Sequence, residues 1–140
     1  MTEPEFKIGK MIEVRDGCDA LIISTGNMLN SALEVAQLAE ANYSVAVWSC
    51  PWLKPLDREA VIKAAKRFPL ILTVEEAKII GGLGGSVAEI LANLLPHRAR
   101  LIYAGIPDTV LYEVFSQTTA KTKLKLDAQG LYEILLKAII

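Results

Sequence analysis

Four short apolar runs, separated by segments with helical periodicity, constrain the fold of this chain more than any other feature. Each run is four or five residues long, and together they cover residues 20–24, 45–48, 70–74 and 101–104. Apolar residues occupy both faces of each run, which is typical of parallel strands covered by helices on either side. Helical connections between parallel strands form right-handed crossovers. The sequence therefore predicts an α/β fold, in which helices cover both faces of a mostly parallel sheet.

The segments between the runs carry signals for the beginning and end of helices. Asp57 precedes apolar residues spaced at i, i+3, i+4 and i+7, and Pro69 prevents that helix from continuing. Ser86 and Glu89 form a capping box, which predicts that the helix after the third run begins there. Asp127 precedes a further stretch with the same apolar spacing. These signals predict helices that alternate with the strands.

The remaining segments define the ends of the predicted domain. Residues 8–14 alternate between apolar and polar, which predicts an extra edge strand that is not parallel to the others. Residues 118–125 are polar and rich in lysine, and we expect an exposed loop there. Residues 1–7 are typical of a tail or the end of a linker. A length of 140 residues suits one core, so we expect residues 8–140 to form a single domain.

Composition disfavours several classes of function. The formal net charge is −1 without a basic block, so we expect no nucleic-acid partner. No stretch approaches the ~20 apolar residues that a membrane-spanning helix needs, and the acidic first residues do not resemble a signal peptide. Cys18 and Cys50 are widely separated and form no C-x-x-C motif, which suits a reducing compartment. We therefore expect a cytoplasmic protein without a membrane partner.

Candidate functional residues lie where ligands of open parallel sheets bind, beyond the carboxyl ends of the strands. Thr25, Gly26 and Asn27 follow the first run, and Trp52 follows the second. Trp52 is either an exposed anchor for another surface or a cover for the end of the sheet. These residues are candidates for an interface.

Two adjacent carboxylates, Glu75 and Glu76, follow the third run. Neighbouring side chains on a strand diverge, which is poor geometry for an acid and a base that share one substrate. Two interpretations stay open: the carboxylates face a partner or a cation, or they accept hydrogen bonds from nearby loop N–H groups.

A glycine-rich loop leads into the next helix and contains Gly81, Gly82, Gly84, Gly85 and Ser86. It lacks the lysine of a P-loop and the third glycine of a dinucleotide fingerprint. The favoured interpretation is close packing of a strand against a helix, where no side chain fits. The alternative is an anion site at the helix N-terminus, which would make the chain a free-standing regulatory module that binds a phosphate or nucleotide.

No catalytic or metal-binding residue can be assigned from the sequence. His97 is the single histidine, and it lies before the fourth run, at the edge of the sheet opposite the candidate residues. A Ser-His-Asp or Cys-His site would need a histidine at the carboxyl edge, and a zinc site would need several ligands. Cys50 has no basic partner in view, which disfavours a nucleophilic role.

Six short motifs in order resemble one family. They are Thr25-Gly26, Leu53-Lys54-Pro55-Leu56-Asp57, Thr73-Val74-Glu75-Glu76, Gly81-Gly82-Leu83-Gly84, Gly105-Ile106-Pro107-Asp108 and Leu126-Asp127-Ala128-Gln129-Gly130-Leu131. Together they resemble the C-terminal domain of transketolase and its relatives, 1-deoxyxylulose-5-phosphate synthase and the beta chains of 2-oxoacid dehydrogenases. The Lys-Pro-Leu-Asp and Gly-Ile-Pro-Asp forms favour transketolase or the synthase.

The resemblance implies a three-layer α/β/α domain with a five-stranded, mostly parallel sheet. It also implies a non-catalytic domain or small subunit of an enzyme that transfers a two-carbon ketol unit between sugar phosphates. The partners would be the catalytic domains or subunit of the same enzyme, which would assemble as a homodimer with help from this domain. Those parts would bind thiamine diphosphate and magnesium. The sequence contains no Gly-Asp-Gly motif, so the resemblance transfers no cofactor-binding residue to this chain.

Overall fold

The computed structural model describes residues 3–94, 96–97, 99–110 and 114–139. Within these residues a single sheet contains the five strands β1 (Ile12–Arg15), β2 (Ala20–Ser24), β3 (Val45–Ser49), β4 (Leu70–Lys78) and β5 (Arg100–Ile106). The helices are α1 (Leu29–Ala39), α2 (Arg58–Arg67), α3 (Leu83–Ala92), α4 (Gln117–Lys123) and α5 (Ala128–Ile139). None of these helices has the length and apolar content needed to cross a bilayer.

The sheet is mixed, with strand order β1-β3-β2-β4-β5. Strands β2 to β5 are parallel, and β1 lies antiparallel to β3 at one edge. The predicted fold class is therefore confirmed, and so is the prediction of a non-parallel edge strand near the N-terminus. That strand is shorter than residues 8–14 suggested, because pairing with β3 begins only at Ile12, opposite Ser49.

Two apolar cores flank the sheet and create the three layers. Ile22 of β2 packs in the core that contains residues of α1 and α5. Leu21 and Ile23 belong to the opposite core, with residues of α2 and α3. Side chains alternate across a strand, so one short apolar run supplies both cores. In the second core the ring of Trp48 meets that of Phe68 edge-on, with 5.9 Å between their centroids.

Asp57 and Asp127 cap helices, as their positions predict. The Ala60 N–H donates to Asp57 Oδ1 at 3.2 Å, and the Gly130 N–H donates to Asp127 Oδ1 at 2.9 Å. Each carboxylate satisfies one of the backbone donors that the first turn of a helix leaves free.

The capping-box prediction for α3 is wrong. The helix begins at Leu83, and its N-cap is Gly82. Ser86 lies inside the first turn, where its hydroxyl donates to the Gly82 carbonyl at 2.9 Å. The actual cap comes from the preceding strand, as shown below, so the local motif is not needed.

The prediction of an exposed loop at residues 118–125 is also wrong. Residues Gln117–Lys123 form α4, which buries none of its residues. Ser116 caps it by accepting from the Thr119 N–H at 3.2 Å. A local cap thus stabilises a short helix in a segment whose composition is typical of a loop.

Candidate functional site

The candidate residues gather at the carboxyl edge of the sheet. Strands β2 and β3 are parallel to β4, so Thr25–Asn27 and Trp52 lie beyond strand ends on this side. Glu75 and Glu76 lie within β4, which continues to Lys78 rather than ending at Val74. The glycine loop then connects β4 to α3. The topology therefore brings all three groups of candidates to one edge.

Glu75 is a buried carboxylate that caps α3. Its side chain is 1% exposed, and it accepts hydrogen bonds from two consecutive backbone donors at the beginning of that helix. The Leu83 N–H donates to Oε2 at 2.8 Å, and the Gly84 N–H donates to Oε1 at 3.2 Å. The negative charge thus meets the positive end of the helix dipole. These two N–H groups are therefore not free to bind an external anion.

The glycines of the loop make room for this carboxylate. A Cβ atom on Gly82 would overlap Glu75 Oε2, and one on Gly84 would lie 2.8 Å from the Tyr103 ring. By contrast, a Cβ on Gly85 would be 3.8 Å from its nearest neighbour. Gly81, at φ +77, turns the chain into the helix and is exposed. Close approach between backbone and side chain therefore explains the two central glycines.

Glu76 points to a different partner. Its carboxylate accepts from Gln117 Nε2 at 3.0 and 3.1 Å and lies 4.0 Å from Lys121 Nζ. The two adjacent carboxylates therefore diverge: one holds α3 and the other holds α4.

The Thr25–Asn27 segment forms a tight turn at the end of β2. The Thr25 N–H donates to the Val74 carbonyl at 3.2 Å, which ties the turn to β4. Gly26 has φ +62, and both Gly26 and Asn27 are exposed. Met28, the last residue of the turn, is fully buried in the apolar core.

Beyond β3, Cys50 is buried and Trp52 is 39% exposed. The Cys50 thiol donates to the Trp52 carbonyl, with 3.4 Å between sulfur and oxygen. Burial raises the pKa of the Cys50 thiol to about 11, which keeps it protonated at neutral pH. Cys18 is exposed, and neither cysteine forms a disulfide. The thiol at this edge is therefore a small buried group rather than a nucleophile.

The described residues do not fit a metal site. Throughout residues 3–94, 96–97, 99–110 and 114–139, no three His, Cys, Asp or Glu side chains converge on a point where they could hold an ion. His97 lies just before β5, at the opposite edge of the sheet from the candidates. Magnesium, which the resemblance assigns to other parts of the enzyme, has no such set of ligands among these residues.

Sequence reasoning missed one contact in this region. Asp57, expected only to cap α2, also accepts a hydrogen bond from the Met11 N–H at 2.9 Å. Lys10 Nζ lies 3.7 Å from its other oxygen. The donor is 46 residues away in sequence, so no local pattern signals the contact.

The chain is an α/β domain in which its own side chains cap the N-termini of α2, α3, α4 and α5. The sequence matches the family model "Transketolase, C-terminal domain" over residues 9–131. The chain therefore belongs to this family, which confirms the resemblance.

Curated relatives are much longer than this chain. It is 36% identical over 129 residues to 1-deoxy-D-xylulose-5-phosphate synthase from Mannheimia succiniciproducens, covering 92% of this chain and 20% of the relative. It is 37% identical over 128 residues to 1-deoxy-D-xylulose-5-phosphate synthase 1 from Geobacter sulfurreducens, covering 91% and 20%. The chain thus spans 20% of the length of these relatives.

Two solved structures share the fold. A split-gene transketolase, described as an inactive beta4 tetramer, superposes with a TM-score of 0.87 at 30% identity, over 97% of this chain and 44% of that one. Transketolase from Campylobacter jejuni superposes with a TM-score of 0.67 over 98% of this chain and 20% of that one. The second likeness, at 14% identity, concerns the fold alone.

Proposed function

We propose that this chain is the C-terminal, non-catalytic part of a transketolase-like enzyme, where it stabilises the assembly and positions the catalytic domains. The observation that carries the proposal is the Glu75 carboxylate on the N-terminus of α3. A side chain of the domain itself thereby occupies the N-terminus of α3, where an anion would otherwise bind, and this supports a structural role at this edge. The alternative of a free-standing module that binds phosphate or nucleotide gains no support from the family or the relatives.

The complete enzyme would transfer a two-carbon ketol unit between sugar phosphates. Its other domains would bind thiamine diphosphate and magnesium, and it would work as a cytoplasmic homodimer. The cofactor would supply the carbanion chemistry there, whereas the residues of this chain would hold the domains in place.

A second candidate is the corresponding domain of 1-deoxyxylulose-5-phosphate synthase. The curated relatives named above favour it, since both carry that name. The two candidates assign the same role to this chain and differ in the reaction of the complete enzyme.

Enzyme assays on the chain alone and on the complete enzyme test both candidates. The substrates are a ketose phosphate with an aldose phosphate acceptor, and pyruvate with glyceraldehyde 3-phosphate. We expect no turnover of either pair by the chain alone and turnover of one pair by the complete enzyme. Turnover by the isolated chain would contradict the proposal, and the pair consumed by the complete enzyme decides between the two reactions.

A further inference from the structure

A small cavity lies at the edge of the sheet where the parallel strands begin, opposite the candidate functional site. It encloses about 290 Å³ beside the amino ends of β2, β4 and β5 and the last turn of α5. Its lining consists chiefly of Asp19, Tyr43, Pro69, Leu70, Arg100 and Ile139. Ligand pockets usually enclose roughly 300–1,000 Å³, so a cavity of this size suits a small molecule. We refer to it as the amino-edge cavity.

A carboxylate forms one wall of the amino-edge cavity, and the backbone fixes its direction. Asp19 directly precedes β2, and its Oδ2 accepts from the Ser44 N–H at 2.7 Å. The Asp19 N–H in turn donates to the Ser44 carbonyl at 2.8 Å. These bonds hold the carboxylate beside the beginning of the sheet and leave its negative charge in place.

A guanidinium group forms a second wall. Arg100 is the first residue of β5, and its Nη1 donates to the Ala138 carbonyl, in the last turn of α5, at 3.5 Å. That bond uses one of several N–H groups, whose fork suits the two oxygens of a carboxylate. Within the part of the chain that the structure describes, neither Arg100 nor Asp19 belongs to an ion pair. The cavity therefore presents one positive and one negative group that the domain does not pair.

The remaining lining is apolar. Leu70 is 4% exposed and belongs to the core that contains residues of α1 and α5. Tyr43 and Ile139 are half-buried and pack against the same core. An apolar group of a ligand would displace water from these side chains, which is favourable.

We propose that the amino-edge cavity binds a free α-amino acid with an apolar side chain. The carboxylate of the ligand accepts from Arg100, its ammonium group donates to Asp19, and its side chain lies against Leu70. The last turn of α5 also favours the ammonium group, because the C-terminus of a helix carries a partial negative charge. A simple anion would face Asp19 and a simple amine would face Arg100, so a ligand with both charges fits best. This site goes beyond the proposed function and lies at the other edge of the sheet.

Leucine and two analogues that each lack one charge test the proposal in the 140-residue chain. Leucinamide lacks the carboxylate, and isocaproate lacks the ammonium group. We expect leucine to raise the unfolding midpoint as its concentration rises. Leucine should also bind at least about tenfold more tightly than either analogue, because each analogue loses a hydrogen bond between charged groups. Equally tight binding of isocaproate would reduce the cavity to an anion site and would overturn the proposal.

Single substitutions locate the site. Arg100→Gln and Asp19→Asn each remove one charge, and Asp19→Asn keeps an oxygen that can accept from the Ser44 N–H. Arg58→Gln is the matched control, because Arg58 is exposed, lies on α2 and does not line the cavity. We expect each of the first two variants to bind leucine at least about tenfold more weakly and the control to bind it unchanged. Leucine binding that survives both substitutions, or an equal loss in the control, would contradict this assignment.

Amide chemical shifts in NMR spectra provide a readout that depends on neither stability nor activity. Leucine should shift the amide signals of Ser44, Leu70 and Arg100 and leave those of Leu83 and Gly84, at the other edge, unchanged. Shifts confined to the other edge, or no shifts at tens of millimolar leucine, would show that the cavity is not an amino-acid site. None of these results depends on the reaction of the complete enzyme, so the proposed function can fail while this site stands, and the reverse.

Discussion

Replacing Glu75 by glutamine tests the central observation on this domain. The amide keeps the size of the side chain but has one acceptor oxygen where the carboxylate has two. If that oxygen keeps the bond to the Leu83 N–H, the NH₂ group faces the Gly84 N–H, which is left buried without an acceptor. A buried unsatisfied donor costs about 1–3 kcal/mol. The lost charge at the helix N-terminus adds up to about 2 kcal/mol in a buried geometry. We therefore expect Glu75→Gln to lower the free energy of unfolding by about 2–4 kcal/mol.

Glu76→Gln is the matched control. It lies next in sequence and removes the same charge, but its partners Gln117 and Lys121 are linked to it by exposed or loosely paired contacts. Such pairs contribute about 0–1 kcal/mol. Urea unfolding followed by circular dichroism and tryptophan fluorescence measures both variants. Equal stability losses in the two variants, or a loss below about 0.5 kcal/mol for Glu75→Gln, would refute the capping argument.

A rescue experiment refines the same prediction. Glu75→Ala empties the space in front of α3 and exposes its two N–H groups to small anions. Acetate should then stabilise the variant in proportion to its concentration and leave the wild-type protein unchanged at equal ionic strength. Equal responses of the two proteins would show that the carboxylate does not act as the anion of this helix.

Three further predictions follow from the packing around these residues. Gly82→Ala should cost about 1–3 kcal/mol because its Cβ would overlap the Glu75 carboxylate. Gly85→Ala, whose Cβ would make only an ordinary van der Waals contact, should be neutral or stabilise α3 by up to about 1 kcal/mol. Chemical denaturation of both variants checks this contrast. A thiol reagent at pH 8 should label Cys18 rapidly and Cys50 only after unfolding, because Cys50 is buried and its thiol pKa is raised to about 11; rapid labelling of both thiols in the native state would contradict this. Asp57→Ala should lower the free energy of unfolding by about 2 kcal/mol, since it removes both the cap of α2 and the hydrogen bond from the Met11 N–H. Unchanged amide hydrogen exchange of residues 3–11 in the variant would show that Asp57 does not hold the segment before β1.

The strands and most of the helices are predictable because their signals are local and periodic. Leu21, Ile22 and Ile23 are apolar in succession, and only a strand covered on both faces buries all three. The Asp57 cap is visible for the same reason, since donor and acceptor lie three residues apart. The number of strands and the three-layer arrangement were predictable from the family resemblance rather than from these local signals.

The errors arise where a distant residue or a local cap decides the structure. The beginning of α3 depends on Glu75, eight residues before the Leu83 donor and on another element. Helix α4 forms in a polar segment because Ser116 caps it. At the candidate site, residue spacing identifies the edge but not the direction of each side chain. The hydrogen-bonding alternative for Glu75 agrees with its contacts here, whereas the role of this edge as an interface stays a prediction.

The internal anion of α3 has a consequence for the conditions under which the domain remains folded. A helix that depended on a bound phosphate would lose stability whenever phosphorylated metabolites became scarce, and competing anions would perturb it. Here the anion is the Glu75 carboxylate, a side chain of the domain itself that is 1% exposed. It is therefore always present, and salt screens it little. The stability of the domain should therefore be independent of the level of sugar phosphates around it. In the enzyme that we propose, such independence would suit a part that must hold its shape while the other domains consume and release those same compounds.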